Sequence, residues 1–174
     1  RGLGDVYKRQ AVNDKIDIVY EDENILLIDK PVGMVVHEDE SGDSDTLINR
    51  IKSYLYHKGE YHPENELSFA PALCNRIDRN TCGIVIAAKN AESLRILNQK
   101  IRDRELTKLY LCIACGKVTP DSATLTAYLE KNSDTNTVKI SDKKTKSNLT
   151  IKTKYKVIAY NGENSLLKVD LLTG

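Results

Sequence analysis

The stretch "LCNRIDRNTCGIVIAAKN", from Leu73 to Asn90, places two arginines and an aspartate immediately before an apolar run. The run from Gly83 to Ala88 has the length and composition of a buried β-strand. A carboxylate between Arg76 and Arg79, at the mouth of such a strand, is either part of a structural ion pair or a reaction centre. The interpretation of this chain therefore depends on Asp78.

The first half of the chain predicts a succession of strands and helices. Apolar runs bounded by turn residues indicate strands, and apolar residues repeated every three or four positions indicate helices. The predicted elements are a short strand beginning at Ile16, a strand from Ile25 to Ile28, an extended "MVVH" segment, a helix from Thr46 to His57 and a helix from Ala91 to about Arg104 that Asn90 caps.

The second half is mostly strand. The segments "KLYLCIAC", "ATLTAYL", "LTIKTKYKVIAY" and "SLLKVDLL" are rich in β-branched residues, Tyr and Leu. Lys131 to Asn148 is predicted to be a polar connection and "YNGE" a hairpin turn. This order of elements predicts an α+β fold with a mixed, largely antiparallel sheet and flanking helices.

The composition is that of one folded domain or a large part of one. Of the 174 residues, 40% are hydrophobic and 29% are charged. The sequence has no apolar run of the roughly 20 residues that a membrane span requires, and no secretory signal pattern. Its four cysteines indicate reduced thiols and a cytoplasmic setting. Residues 1–10 resemble translated adapter sequence, so we treat them as a non-native leader.

Charge is unevenly distributed, although the net charge is only +1. Asp17 to Asp45 holds ten acidic residues and one lysine, whereas Lys139 to Lys156 holds seven lysines and one aspartate. The lysine-rich segment fits a basic face that binds a polyanion. For that segment alone, we favour the alternative, a solvated pair of strands whose lysines discourage edge-to-edge aggregation.

Four motifs, in order along the chain, resemble those of the RluA-type pseudouridine synthases. The stretch from Leu73 is similar to the family's central motif, H-R-L-D-x-x-T-S-G followed by an apolar strand and Ala-Lys. "VYEDENILLIDKPVGMVVH" resembles the first motif, "LTKLYLCIACG" the Lys-x-Tyr strand and "LLKVDLLTG" the start of the last motif. The resemblance covers about Ile16 to Gly174 and implies a partial catalytic domain over residues 11–174.

The resemblance assigns roles to three residues. Asp78 matches the catalytic aspartate, Tyr110 the active-site tyrosine that stacks on the target base, and Arg76 the arginine that precedes the aspartate and supports its loop. Without that context, such an aspartate is more often in a structural salt bridge and such a tyrosine in a core. Asn75 and Cys82 stand where the family usually has His and Ser, and we expect altered hydrogen bonding in the loop without loss of chemistry.

Other reactive side chains are predicted to be structural. Cys112 and Cys115 form a C-x-x-C pair, but their odd separation in a strand points them to opposite faces. We therefore predict core cysteines that bind no metal. His37, His57 and His62 are scattered along the sequence, and none is expected to be catalytic.

The resemblance implies isomerisation of uridine to pseudouridine in structured RNA, ribosomal or transfer. The uridine is flipped into a pocket, and Asp78 promotes cleavage of the C1′–N1 bond as a nucleophile or through elimination. No cofactor is needed because both bonds lie within the nucleotide. The expected partner is RNA, not a membrane, and we expect a monomer.

Two other functions stay open. One is a non-catalytic RNA-binding fragment. The other is a carboxylate-dependent nucleoside or glycoside hydrolase, which usually needs a second positioned acidic residue.

Both ends of the chain look incomplete. "SLLKVDLLTG" stops where the family's motif continues into R-T-H-Q-I-R, whose first arginine pairs with the catalytic aspartate. We therefore expect a fragment that does not turn over by itself. The alternative is a genuine short protein with a reduced role.

Overall fold

A computed structural model describes residues 14–38, 45–65, 67–132 and 137–173. The predicted leader, residues 1–10, lies outside the described residues. The chain divides into two compact units, Arg1–Asp103 and Arg104–Gly174. Within the described residues, no helix is long and apolar enough to cross a membrane.

The first unit combines a small sheet with two helices. Its strands pair antiparallel in the order β1-β2-β4-β3. The elements are β1 (Asp17–Glu21), β2 (Ile25–Lys30), α1 (Leu47–His57), β3 (Ala72–Leu73), β4 (Gly83–Ala88) and α2 (Ala91–Arg102).

The core of this unit lies between α1 and the two central strands. Alternate residues of β2 and β4 point to one face of the sheet, and residues at intervals of four on α1 pack against them. The fully buried members are Leu26 and Ile28 from β2, Val85 and Ala87 from β4, and Leu47, Ile51 and Leu55 from α1. The helical period predicted for Thr46 to His57 is thus confirmed, with Thr46 as the N-cap that accepts a hydrogen bond from the Asn49 amide.

The predicted extended segment Met34–His37 does not join a sheet. Its backbone serves the start of α1 instead. The Val35 carbonyl accepts a hydrogen bond from the Leu47 amide at 2.8 Å, and the Val36 carbonyl accepts one from the Ile48 amide at 3.2 Å. Amides in the first turn of a helix have no partner within the helix, so this segment satisfies two of them.

The second unit is a five-stranded antiparallel sheet with strand order β5-β9-β8-β6-β7. The strands are β5 (Leu109–Cys115), β6 (Ser122–Asn132), β7 (Thr137–Ser141), β8 (Leu149–Tyr160) and β9 (Asn164–Leu171). The predicted α+β class is therefore confirmed, and every strand pairing among the described residues is antiparallel.

Two features of the second unit bear on the predicted connections. The hairpin at "YNGE" is confirmed: the Asn161 side chain accepts from the Asn164 amide at 2.7 Å, and Gly162 has a positive φ of 99°. The prediction of a plain connection from Lys131 to Asn148 is wrong, because β7 lies within it and pairs with β6. Its sequence, TVKIS, alternates Val138 and Ile140 with polar residues, but all five side chains are exposed and none belongs to the core.

The prediction that Cys112 and Cys115 are core residues is also wrong, because both are exposed. They lie on β5, which among the described residues is an edge strand paired with β9. Their predicted separation onto opposite faces agrees with the register, in which Cys112 is opposite Leu167 and Cys115, three residues on, is opposite Asn164.

A network of charges joins three elements of the first unit. The Lys89 ammonium, on a side chain only 7% exposed, lies 2.9 Å from Glu21 Oε1, and it also contacts Glu60. The Lys58 ammonium lies 2.7 Å from the same Glu21 oxygen, and the Tyr54 hydroxyl donates to Oε2 at 2.8 Å. Burial acts to raise the pKa of Glu21, but these hydrogen bonds outweigh it and leave the pKa below its ordinary value of 4.5.

Glu21→Gln should destabilise the protein at neutral pH and weaken its acid sensitivity. Because the folded-state pKa is lowered, the carboxylate stabilises the fold above pH 4.5, and that contribution is lost as pH falls through the folded-state value. We expect a loss of about 1.5–3 kcal/mol at pH 7 that shrinks towards pH 3. Denaturant unfolding across this pH range measures it, with the exposed neighbour Glu23→Gln as control. A constant difference from wild type at all pH values would contradict the prediction.

Candidate active site

Asp78 lies on the loop that connects β3 to β4. In this loop Ile77 is partly buried and packs against the core, whereas its neighbours Arg76 and Asp78 are exposed. The Thr81 amide donates to the Asp78 carbonyl at 3.0 Å and closes a tight turn. An extended backbone on either side of one inward side chain thus presents the arginine and the carboxylate together at the surface.

Asn75 fixes the start of this loop to β4. After Leu73, the Cys74 amide donates to the Ile86 carbonyl at 2.8 Å. The Asn75 side chain then accepts from the Ile86 amide at 2.8 Å and donates to the Ile84 carbonyl at 3.2 Å. A side-chain amide has one acceptor and donor groups like a backbone peptide, so Asn75 continues the strand pairing where the backbone turns away.

Lys30 fixes the other end of the loop, at Arg79, through hydrogen bonds to main-chain carbonyls. Its side chain is fully buried, and its ammonium donates to the carbonyls of Pro31 at 3.0 Å, Met34 at 2.9 Å and Arg79 at 3.3 Å. The Gly33 amide also donates to the Arg79 carbonyl, at 2.8 Å. Three donors on the ammonium meet three carbonyls, so the buried charge is fully hydrogen-bonded. The Arg79 carbonyl oxygen therefore connects the loop to the end of β2 and to the turn that follows it.

The loop lies near positive charges from the buried Lys30, the partly buried Lys52 and the exposed Arg76. Burial lowers the pKa of Lys30, and the negative charge of the Asp78 carboxylate acts in the opposite direction. Burial, together with the positive charges of Arg76 and Lys52, lowers the pKa of His37. His37 is consequently neutral at pH 7, which leaves the permanent positive charge of this surface to the arginines and lysines.

Tyr110 lies in the second unit, on β5. It is partly buried and stands opposite Val169 of β9, which stands opposite Tyr155 of β8. Tyr155 is buried, and its hydroxyl donates to the Pro120 carbonyl at 3.1 Å. The ring of Tyr110 thus belongs to a cross-strand row with a second, anchored tyrosine. Of the predicted site residues, Arg76 and Asp78 share one loop, and Tyr110 is fixed within its own sheet.

The sequence contained a signal for Lys30 that we did not use. In β2 the buried positions alternate, Leu26, Ile28 and then Lys30. A strand period of two places Lys30 on the inward face, and a buried lysine requires several acceptors. The acceptors are the main-chain carbonyls of Pro31, Met34 and Arg79, which no side-chain pattern in the sequence indicates.

Comparison with known proteins is consistent with this loop and the surrounding motifs. The family model for RNA pseudouridylate synthase matches residues 24–174. This chain belongs to the RNA pseudouridylate synthase family. The resemblance to RluA-type pseudouridine synthases is therefore confirmed.

Two curated relatives show the extent of the match. An uncharacterized RNA pseudouridine synthase of Mycoplasma genitalium is 34% identical over 173 residues, which are 98% of this chain and 52% of that protein. Ribosomal large subunit pseudouridine synthase D of Borreliella burgdorferi is 32% identical over 163 residues, 93% of this chain and 48% of its own length. The chain thus spans about half the length of these relatives.

Solved structures share the fold at lower identity. Human RNA Pseudouridylate Synthase Domain Containing 4 has a TM-score of 0.71 at 17% identity, covering 91% of this chain and 59% of that one. Human RNA Pseudouridylate Synthase Domain Containing 1 has the same TM-score at 18% identity, covering 92% of this chain and 61% of that one.

Asn75→Ala should loosen the Asp78 loop, because it removes both side-chain bonds to β4. We expect a loss of about 1–3 kcal/mol in unfolding free energy and faster amide exchange at Ile86. Asn75→Asp should be intermediate, because a carboxylate still accepts from Ile86 but cannot donate to Ile84. Asn80→Ala, an exposed asparagine of the same loop, is the matched control. Equal stability of the two alanine variants would refute this role for Asn75.

Lys30→Met should leave the shape of the side chain similar and remove the ammonium from three carbonyls. We expect a loss of about 1.5–3 kcal/mol and faster exchange of the Gly33 and Thr81 amides. Hydrogen exchange followed by mass spectrometry measures the loop directly. Lys117→Met, at an exposed lysine of the second unit, controls for the loss of one positive charge. Wild-type exchange in the loop of the Lys30 variant would contradict the prediction.

Proposed function

We propose that the full-length protein containing this chain isomerises uridine to pseudouridine in structured RNA, with Asp78 as the nucleophile. The observation that carries the proposal is the geometry of the Asp78 loop in a chain of this family. Asn75, Lys30 and Ile77 fix the loop to the first unit, and the carboxylate itself is left exposed. A reactive group needs this combination of access and rigid support.

The reaction conserves every atom of the nucleotide. Asp78 attacks C1′ and the C1′–N1 bond breaks, with its electron pair leaving on N1 of uracil. The freed uracil turns, C5 forms a bond to C1′, and the Asp78 oxygen leaves. A proton is then lost from C5 and N1 is protonated. An elimination route through the sugar reaches the same product with Asp78 as base. Neither route involves a net oxidation, so no redox cofactor is required.

Two further residues have proposed roles in holding the substrate. Tyr110 stacks on the uracil, a contact worth on the order of 1–3 kcal/mol. Arg76, exposed on the Asp78 loop, binds the phosphate beside the target nucleotide. The resemblance implied that Arg76 supports the Asp78 loop. In this proposal, Asn75 and Lys30 support the loop instead.

Ribosomal RNA is the substrate that we place first. The Borreliella burgdorferi relative is a ribosomal large subunit pseudouridine synthase by name, and its match covers nearly the whole of this chain. Transfer RNA is the second substrate class to be tested.

Asp78→Asn should lower pseudouridine formation by at least about 10³-fold, because it keeps the side-chain volume and removes the nucleophile. The full-length variant is expressed in cells that lack the natural gene, and pseudouridine is mapped by carbodiimide modification of ribosomal and transfer RNA. RNA affinity and melting temperature should stay close to wild type. Asp17→Asn, at an exposed aspartate of the same unit, is the control and should retain activity.

Three results would overturn the proposal. Wild-type product levels from the Asp78→Asn variant would exclude Asp78 as the nucleophile. Release of free uracil by the wild-type protein would indicate a hydrolase. RNA binding by wild-type protein without any pseudouridine would indicate a non-catalytic RNA-binding protein.

A further inference from the structure

One face of the five-stranded sheet carries a row of lysines. Lys152, Lys154 and Lys156 alternate along β8 and therefore point to the same face. Lys168 of β9 stands directly opposite Lys156 and joins them. All four side chains are exposed. We refer to these four residues as the lysine face.

Protection of a sheet edge against aggregation does not explain the lysine face. Lysines on an outer strand prevent two sheets from pairing edge to edge. In this sheet β5 and β7 are the edges, and both β8 and β9 are internal strands paired on each side. Protection of an edge therefore does not account for lysines at these positions.

The arrangement also has an internal cost. Like charges directly opposite each other on neighbouring strands destabilise a sheet, and Lys156 faces Lys168 in this way. Asp170 stands opposite Lys154 as a partial counterweight. Among the described residues, no ion pair involves any lysine of the lysine face. The sheet thus keeps positive charge that it does not neutralise itself.

The neighbouring side chains suit a polar, repeating ligand. On β6, the residues opposite Lys152, Lys154 and Lys156 are Thr126, Thr124 and Ser122. Alternate residues of a strand are about 6.6 Å apart, so the lysines form an evenly spaced series of cations flanked by hydroxyl groups. The exposed apolar residues of the same face, Leu109, Leu111 and Ile113, lie on β5, one strand beyond Lys168.

We propose that the lysine face binds the phosphate backbone of RNA. The proposal rests on the proposed function, which makes RNA the substrate. A series of exposed cations without internal partners matches the repeating charge of a nucleic-acid backbone. Contacts of this kind hold and orient the RNA without reading its sequence. The lysine face lies on the side of the sheet opposite the row of Tyr110, Val169 and Tyr155, so the RNA segment that it binds is not the one that carries the target uridine.

Salt dependence of RNA affinity tests this directly. The variant K152Q/K154Q/K156Q is compared with K143Q/K144Q/K146Q, which removes three positive charges from the exposed connection between β7 and β8. Affinity of the full-length proteins for a short hairpin RNA with a uridine-rich loop is measured over a range of salt concentrations. Each lost phosphate contact reduces the slope of log affinity against log salt by about 0.7–0.9.

We expect the lysine-face variant to lose about two units of slope and at least tenfold in affinity at low salt, and the connection variant to lose less than one unit. Pseudouridine formation by the lysine-face variant should show a raised KM with kcat retained. Its melting temperature should be equal to or higher than that of wild type, because charge repulsion on the sheet is relieved.

An unchanged slope of log affinity against log salt in the lysine-face variant would overturn the proposal. Binding of an acidic protein to the lysine face would not rescue it. Equal losses in both triple variants would also overturn it, because net charge alone would explain them. If the lysine-face variant aggregated and its soluble fraction bound RNA with wild-type affinity, the lysines would serve solubility. That result would refute the proposal. These results are separable from failure of the proposed function, in which wild-type protein makes no pseudouridine.

Discussion

A single buried ammonium organises the candidate active site. Lys30 ends a strand whose other inward residues are apolar, so its charge is carried into the edge of the core, where an unpaired charge is unfavourable. The chain resolves this by wrapping the turn from Pro31 to Met34 around the ammonium and adding the Arg79 carbonyl from the Asp78 loop. The bond from Lys30 to the Arg79 carbonyl, together with the two Asn75 bonds to β4, fixes the loop that carries Asp78.

Strand periodicity accounts for much of what the sequence made predictable. The period of two places Leu26 and Ile28 in the core, and the helical period places Ile51 and Leu55 against them. Both helices begin at the asparagine or threonine that a helix start favours, and both end within two residues of the predicted position. Asp78 was found from its motif and not from its surroundings.

Predictions from sequence periodicity were wrong or incomplete where the structure depends on main-chain hydrogen bonds or on strand position in the sheet. The strand β7 has only two apolar residues, Val138 and Ile140, within a lysine-rich segment, and both are exposed, so its hydrogen bonding to β6 was not apparent from the sequence. Cys112 looks like a core residue in sequence, but an edge strand leaves it exposed. Asn75 was judged by the residue type that it replaces, whereas its importance comes from two bonds to the backbone of β4. Contacts to main-chain atoms do not depend on a recognisable partner in sequence.

The lysines discussed above differ between the two units in burial and in their partners. In the first unit, Lys30 is buried and Lys89 is partly buried, and each ammonium has three partners within the protein. In the second unit, the lysines of β8 are exposed on internal strands, and Lys156 faces a like charge. A charge satisfied internally stabilises structure, whereas a charge kept without a partner, against the repulsion of its neighbour, leaves free energy to be gained on binding an anion. In the proposed function, the first arrangement positions the Asp78 carboxylate, and the proposed role of the second is to attract a polyanionic RNA.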